Sequence, residues 1–424
     1  MLNSGAFLIS KQAALLAFLL IVSLLLTTLG CSNNNPDENI ESATSEPSIQ
    51  VITIGNLTDV TGPASTAMSL IDTSLKDLVD YYNENNLIPG VELKIVKYDG
   101  QYDSARDVPG YEKLKQQGAD VIFTAAAHSA ITLQPRLADD DMVLFTVAPT
   151  REAIIRNGNV FVPGSPLSED LGYTLLKWVA ENDPDFPKNR PAKVGGAFWT
   201  EAYGNKILEG AEKYASDHPE QYDWVKGYLI EFSFDWRSEV EELKNCDYVI
   251  PPIPMTTFIE QYHNAGGKAK FLGTHAHDAF IYQIDRANQW DQTDGMYFMR
   301  ASEWWTDEDS TMVNLSKQLL AKNHPDKIEE IKRMGNGYLS QYNFYVMLEM
   351  IGDAVEISGP QEFGPLALFE AADSFSLTID GMKRESLSEG ERISINYLTM
   401  YELRADRKDL FRVGPKWNPV VTCP

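Results

Sequence analysis

Two stretches of this 424-residue chain carry residue types at spacings that chemistry can use. In His275-Ala-His277-Asp278 two imidazoles stand one residue apart with a carboxylate beside them, and at a strand end such a pair can ligate zinc or another divalent metal. A metal-dependent hydrolase using His275, His277 and Asp278 would need its ligand set completed from elsewhere. His128, His218, His263 and His324 lie in unrelated segments, and only His128 falls in a loop expected to face a site. The preferred reading is a polar cleft edge with one histidine toward a ligand, without metal or cofactor; the hydrolase is the alternative. The second stretch, Val121 to Arg151, holds two strand-to-loop units. Val121-Ile-Phe-Thr124 runs into Ala125-Ala-Ala-His-Ser129, and Met142-Val-Leu-Phe-Thr146 into Val147-Ala-Pro-Thr150. Both end in small and hydroxyl residues, which let a ligand approach the backbone. Where parallel strands end and loops turn into helices, unpaired N–H groups favour a carboxylate or similar anion. No phosphate loop, Gly-x-Ser-x-Gly elbow or catalytic triad signature occurs.

The elements that must position these residues read as alternating strands and helices. Ile49 to Gly55 opens as a strand, Thr61-Gly-Pro63 starts a helix with Ile71, Leu75, Leu78, Val79 and Tyr82 on one face, and Val91 to Tyr98 is a second strand. Tyr111 to Gln117 supplies a helix before Val121, and Ile131, Leu133 and Leu137 mark the crossover helix between the two strand-to-loop units. This is the pattern of a doubly wound parallel sheet. A second series follows Pro163-Gly-Ser-Pro166, with strands at Ala192 to Phe198, Tyr228 to Phe232, Asp247 to Ile250, Lys270 to Gly273 and Met296 to Met299. Long helices are expected at Met312 to Lys322 and Tyr338 to Val355, and a strand pair at Ile393 to Arg404. The fold class is α/β, with lobe one at 49–164 plus about 301–390 and lobe two at 165–300 plus about 391–424.

A hydrophobic fraction of 43% allows a sizeable core, and a net charge of −25 argues against a nucleic-acid partner, for which the electrostatic term would be repulsive. Residues 1–31 read as a signal segment: Lys11, an apolar run from Ala13 to Leu26, then Thr28-Leu-Gly-Cys31. That tail resembles the lipobox of bacterial lipoproteins, which implies lipidation of Cys31 and an extracytoplasmic body anchored to the membrane. An uncleaved transmembrane anchor is the alternative. Residues 32–48, rich in Asn, Ser, Glu and Pro, read as a disordered tether. Cys246 and Cys423 then either pair or remain free thiols.

The order of the pieces resembles the type I periplasmic-binding-protein family, specifically the branched-chain amino acid and amide receptors of ABC transporters. The resemblance is carried by Thr61-Gly-Pro63, Lys97-Tyr-Asp99, Gly118-Ala-Asp-Val-Ile122, Thr146-Val-Ala-Pro-Thr150, Glu201-Ala-Tyr-Gly204 and Phe271-Leu-Gly273, in that order and over nearly the whole chain after the tether. It implies two doubly wound lobes joined by three crossovers, a ligand that closes the cleft, no catalysis, and a membrane permease as partner to a monomeric receptor. Carried over, Ser129 (or its neighbours His128 and Ala130), Ala148 and Thr150 are the pieces of lobe one that hold a carboxylate. A purely capping role for these hydroxyls is the plainer alternative. Tyr203 matches a tyrosine of lobe two that covers the ligand, with Trp199 on the same strand-to-helix loop.

His275 stands where amino-acid receptors of the family carry a Glu or Asp for the ligand's ammonium. Either Asp278 takes that role or the ligand lacks the ammonium, since an unpaired buried ammonium is costly. A second family tyrosine falls in Ile250-Pro-Pro-Ile-Pro254, which has no hydroxyl to offer. Both departures point away from branched-chain amino acids and toward an amide, a carboxylate or an aromatic compound. A sensor role on the same fold would call for a transmembrane span and signalling domain after Arg404; the expectation is a tethered, free-standing receptor. Trp304-Trp305, beside a predicted crossover, is read as a hinge packing pair or part of the cleft wall.

Overall fold

The short apolar runs are strands because helices cover both of their faces, and alternate side chains enter different cores. A computed structural model describes residues 49–424; the signal segment with Cys31 and the tether lie outside the described residues. Sheet one is built in chain order from β1 (Gln50–Thr58), α1 (Ser65–Glu84), β2 (Val91–Asp99), α2 (Asp107–Gln116), β3 (Val121–Thr124), α3 (Ala127–Asp139), β4 (Val143–Thr146) and β5 (Val160–Phe161). Its strands are parallel in the order β2-β1-β3-β4-β5. Val121, Phe123, Val143 and Phe145 pack on one side with Leu75, Leu78 and Tyr82 of α1. Ile122 and Leu144 pack on the other with Tyr111 of α2 and Leu133 and Leu137 of α3. This is the two-residue period of a strand buried on both faces.

Sheet two repeats the topology. Its chain order is α4 (Ser168–Asn182), β6 (Ala192–Trp199), α5 (Ala202–Asp217), β7 (Tyr222–Ile230), α6 (Arg237–Leu243), β8 (Tyr248–Ile250), α7 (Thr256–Asn264), β9 (Lys270–Thr274), the single turn α8 (His275–Asp278), α9 (Ile281–Ala287) and β10 (Tyr297–Arg300). The parallel order β7-β6-β8-β9-β10 matches that of sheet one. The chain then runs through α10 (Thr311–Asn323), which contributes to both cores, and α11 (Ile328–Arg333), whose Ile331 packs in the core of sheet two, and returns to the first core through α12 (Gln341–Ser358) and α13 (Pro365–Ser374). A hairpin, β11 (Ser376–Ile379) and β12 (Met382–Ser386), precedes β13 (Tyr397–Arg404) and β14 (Asp409–Arg412), which extend sheet two antiparallel beyond β10.

Three connections link the sheets, near residues 162–167, 301–310 and 387–396. They are tied together: Val162 N–H donates to Arg392 O (2.7 Å), Ser394 N–H to Val162 O (3.3 Å), and Arg384 Nη2 to Ala301 O (2.8 Å). Trp304 and Trp305 are buried here; Trp304 stacks on Arg300 and donates through Nε1 to Asp409 Oδ1 (2.6 Å), a packing role.

Three sequence expectations are corrected. The first helix starts at Ser65 and not at Thr61, because the Asp59 carboxylate takes the N–H groups of Gly62 and Ala64 and holds that stretch as a turn. The helix expected from Tyr338 begins as a 3₁₀ turn and becomes α only at Gln341. Ile393 and Ile395 make isolated bridges to Val162 and Glu385, so only Tyr397–Arg404 of the expected strand pair is a strand. Cys246 and Cys423 are free thiols buried in different clusters.

Candidate ligand-binding cleft

In each sheet the strand order reverses between the first and third strands, and the carboxyl ends there are the usual place for a ligand crevice. The wall from sheet one begins with the first turn of α3. Its N-cap, Ala126, is extended and has no side chain to offer, so the opening N–H groups of the helix are left without a side-chain cap. His128 and Ser129 of that turn both reach Asp107, which is 1% exposed: Ser129 Oγ donates to Oδ1 (2.7 Å) and His128 Nδ1 lies 2.9 Å from Oδ2. The Tyr102 ring meets His128 edge-on at 5.1 Å. Gln101 and Tyr102 take φ of +54° and +53°, the left-handed region that residues with a Cβ seldom occupy, in a loop that Asp99 holds through Val60 N, Thr61 Oγ1 and Gln101 N. Thr150 is fully buried and caps nothing; its Oγ1 has no partner. Ala148 is half-buried and, with Ala127, packs against the core of sheet two.

The opposite wall starts at the end of β6. Glu201 caps α5 by accepting from Tyr203 N (2.7 Å) and Gly204 N, and burial pushes its carboxyl upward. Tyr203 is buried, its hydroxyl 2.8 Å from Thr274 Oγ1, its ring edge-on to His275. His275 is half-buried with Nδ1 unpartnered; desolvation, followed by Arg300 and His277, pushes its pKa down to about 3, so it is neutral across the physiological range. An open cleft of about 450 Å³ is lined by Tyr102, Asp103, Ser104 and His128 from one wall and Thr200, Glu201 and Ala202 from the other. A second, much smaller space that shares Tyr102 and His128 with the cleft reaches Thr58, Asp59, Asp107 and Ser129.

The residues singled out by sequence are distributed unevenly over this site. Ser129, Ala148, Thr150, Tyr203 and His275 lie in the segments that follow strand ends of the two sheets, but of these only Ser129 lines either space, the smaller one; its hydroxyl is turned to Asp107, and His128 of the same turn lines the cleft. Trp199 donates Nε1 to Ser233 O (2.7 Å) and packs among Phe232, Phe234 and Trp236, one residue before the cleft-lining Thr200. Asp278 is fully buried and bound to Arg300, itself fully buried against Trp304 and Tyr401; desolvation still lifts the Asp278 carboxyl to about 6. His277 has both nitrogens engaged, Nδ1 accepting from Thr274 N (3.0 Å) and Nε2 on Pro251 O (2.9 Å). The metal-hydrolase alternative finds no support in this geometry: His277 and Asp278 are engaged by other groups, His275 has its Nδ1 unpartnered, and among the described residues no three His, Cys, Asp or Glu side chains are grouped so as to hold a metal ion. Tyr102, Asp107 and Glu201 were not found by sequence reasoning. The acid capping Glu201-Ala-Tyr-Gly204 was a readable signal for Glu201.

The family model described as "Periplasmic binding protein" matches residues 51–406. The chain belongs to the periplasmic binding protein family. Solved structures similar to this periplasmic binding protein include a branched-chain amino acid ABC transporter protein from Thermus thermophilus with bound valine, at 18% identity and a TM-score of 0.71 over 88% of this chain and 97% of that one. A fatty acid ABC transporter substrate-binding protein from Thermomonospora curvata gives 15% identity and a TM-score of 0.73 over 87% and 92% of the two chains. A solute-binding protein from R. palustris in complex with benzoate gives 16% and 0.70 over 88% and 97%. At these identities the likeness is one of fold. A sequence comparison with curated proteins gives no match.

Proposed function

We propose that this periplasmic binding protein is the solute receptor of an ABC importer: an extracytoplasmic, monomeric protein, lipid-anchored through Cys31, that closes two lobes on a small amide or organic acid. The observation carrying this reading is the set of polar atoms left without partners in the segments after strand ends of both sheets: His128 Nε2, whose ring lines the cleft, and Thr150 Oγ1 from sheet one, and His275 Nδ1 from sheet two. Buried polar atoms are normally paired, and a solute between the walls would pair these. The uncapped start of α3 suits a carbonyl or carboxylate oxygen. On the other wall the His275 imidazole is neutral and Asp278 is bound to Arg300, so neither offers a free negative charge to an ammonium at that position. Similar structures that hold benzoate and 3,4-dihydroxybenzoic acid support a non-amino-acid solute, while the one with valine marks the competing class.

The test is a thermal-shift panel of amides, short organic acids, aromatic acids and amino acids, followed by small-angle scattering with the best binder. A ligand raises apparent stability with the logarithm of its concentration over Kd. Shifts with amides or organic acids and compaction at saturation are expected. A shift confined to leucine, isoleucine and valine overturns the solute class, and unchanged scattering at saturation overturns closure.

A further inference from the structure

We infer that His128, held by Asp107 with its proton on Nδ1, reads the ligand through the Nε2 lone pair and makes the cleft prefer a carboxamide to the matching carboxylate. The inference deepens the proposed function and rests on it for the ligand, not for the state of the ring. Asp107 is buried, accepts the Ser129 hydroxyl on Oδ1 and has its Oδ2 2.9 Å from His128 Nδ1. A carboxylate is an acceptor only, so the ring must bring the proton to that contact, and a neutral imidazole that donates from Nδ1 presents a bare acceptor at Nε2. Ser129 Oγ is 3.4 Å from Nδ1 but gives its proton to Asp107 and does not compete. Nε2 itself is buried and has no partner, and the ring that carries it lines both the open cleft and the smaller space. The titratable groups around the ring are Asp107, Asp59, Asp103 and Glu201, all acidic, and the phenol of Tyr102. No lysine or arginine lines either space.

Two features of one helical turn then set the ligand's pattern. The first N–H groups of α3 donate, and His128 in that turn accepts. A carboxamide has an oxygen and an N–H side by side and satisfies both; a carboxylate turns a second lone pair toward Nε2 and the surrounding acids. Asp107 acts here as a positioning residue, because it fixes which nitrogen of His128 carries the proton.

The ring is tested without ligand by ¹⁵N NMR of the full protein labelled at histidine. A protonated Nδ1 and a bare Nε2 are expected for His128; an Nε2–H form, or a doubly protonated ring, overturns the inference. In Asp107→Asn the side-chain amide donates to Nδ1 and the proton moves to Nε2. Calorimetry with matched pairs, benzamide with benzoate and acetamide with acetate, reads the selectivity. The wild type is expected to favour the amide by about tenfold or more, the scale set by a site whose buried polar atom is left unpaired by the wrong partner. The ratio is expected to invert in Asp107→Asn, whereas an equal loss for both members means a purely structural role and overturns the inference. Should Asp107→Asn fail to fold, His128→Phe keeps a ring without Nε2 and is expected to bring the ratio close to one; an unchanged ratio overturns it. If the wild type binds neither member of either pair, the selectivity fails along with the amide arm of the proposed function, while the NMR result still decides the state of His128.

Discussion

Thr150 is fully buried and its hydroxyl caps no helix and meets no acceptor. A hydroxyl in that state costs the free protein the desolvation of a polar group, which a ligand contact of the kind proposed for Thr150 would offset. Thr150→Val, which keeps the shape and removes the hydroxyl, is therefore expected to leave the ligand-free protein as stable or up to about 1 kcal/mol more stable, and to weaken binding of the best panel ligand by about 0.5–1.5 kcal/mol. Paired denaturation and calorimetry check this, and a destabilised free protein with unaltered affinity would mean that the hydroxyl serves the fold. Its neighbour in the reading, Ser129, shows why residue type alone falls short. Both are hydroxyls after a buried strand, but only the tertiary placement of Asp107 from α2 turns Ser129 away and leaves His128 facing the cleft. Likewise nothing near Asp278 in sequence announced Arg300, which lies 22 residues on and meets it only because β10 lies beside β9.

Helices α4 and α5 meet backbone to backbone. A Cβ on Gly172 of α4 would fall 2.2 Å from Ile207 O, and one on Gly210 of α5 would fall 2.0 Å from Glu169 O. These are contacts with backbone, which has nowhere to yield, so Gly210→Ala is expected to destabilise by about 1–3 kcal/mol despite the better helix propensity of alanine. Gly352 in α12 is the control: its added Cβ would meet Ile88 at 3.7 Å, an ordinary contact, and Gly352→Ala should stabilise by up to about 1 kcal/mol. Urea denaturation of the two variants gives opposite signs if the close approach of α4 and α5 is right; a stabilised Gly210→Ala would refute it. The approach matters to the site because the start of α5 carries Glu201 and Tyr203. The contrast is in the caps: α5 is capped by Glu201, whereas the opening N–H groups of α3 have no side-chain cap.

Across the molecule, the connections between the sheets enclose a buried ionic group: Arg384 with Glu303 (3.5 Å), Arg384 over the Trp417 ring (3.5 Å), and Glu385 accepting from Ser394 Oγ (2.6 Å) and Tyr342. Burial pushes the Glu385 carboxyl up to about 7 from an ordinary value of 4.5, against the hydrogen bonds and Arg384, which lower it. A carboxyl raised on folding contributes stability that is complete below about pH 4.5 and is lost as pH rises through about 7, on the order of 3 kcal/mol in all. Asp170 and Asp278, lifted to about 6, act in the same sense, while His277 and His275, pushed down to about 4 and about 3, oppose them by losing stability as pH falls below 6.5. The two pairs oppose each other, and Glu385 acts on the side of the two aspartates. Stability is expected to decline from about pH 5 to about pH 7, and Glu385→Gln to flatten that decline; a variant with the wild-type slope would place the titration elsewhere.

The alternation of buried strands and one-faced helices, the doubly wound fold class and the strand ends around Val121 to Arg151 were determined by the sequence alone, because hydrophobic period is a local property that each segment carries with it. Helix starts were less legible where a distant or turn-forming acid competed for the first N–H groups, as Asp59 does before Ser65. What only the tertiary structure decided is which polar atoms are occupied. Asp107 reaches His128 and Ser129 from 21 and 22 residues away, Arg300 occupies Asp278, Pro251 and Thr274 occupy His277, and Thr150 and His275 are left with unpaired atoms. A side chain's hydrogen-bond partner depends on chain crossings and sheet order and not on its neighbours in sequence, so a stretch such as Gly273-Thr-His-Ala-His-Asp278 can suggest a metal site and yet fold into a capping box, an ion pair and one neutral histidine beside Tyr203.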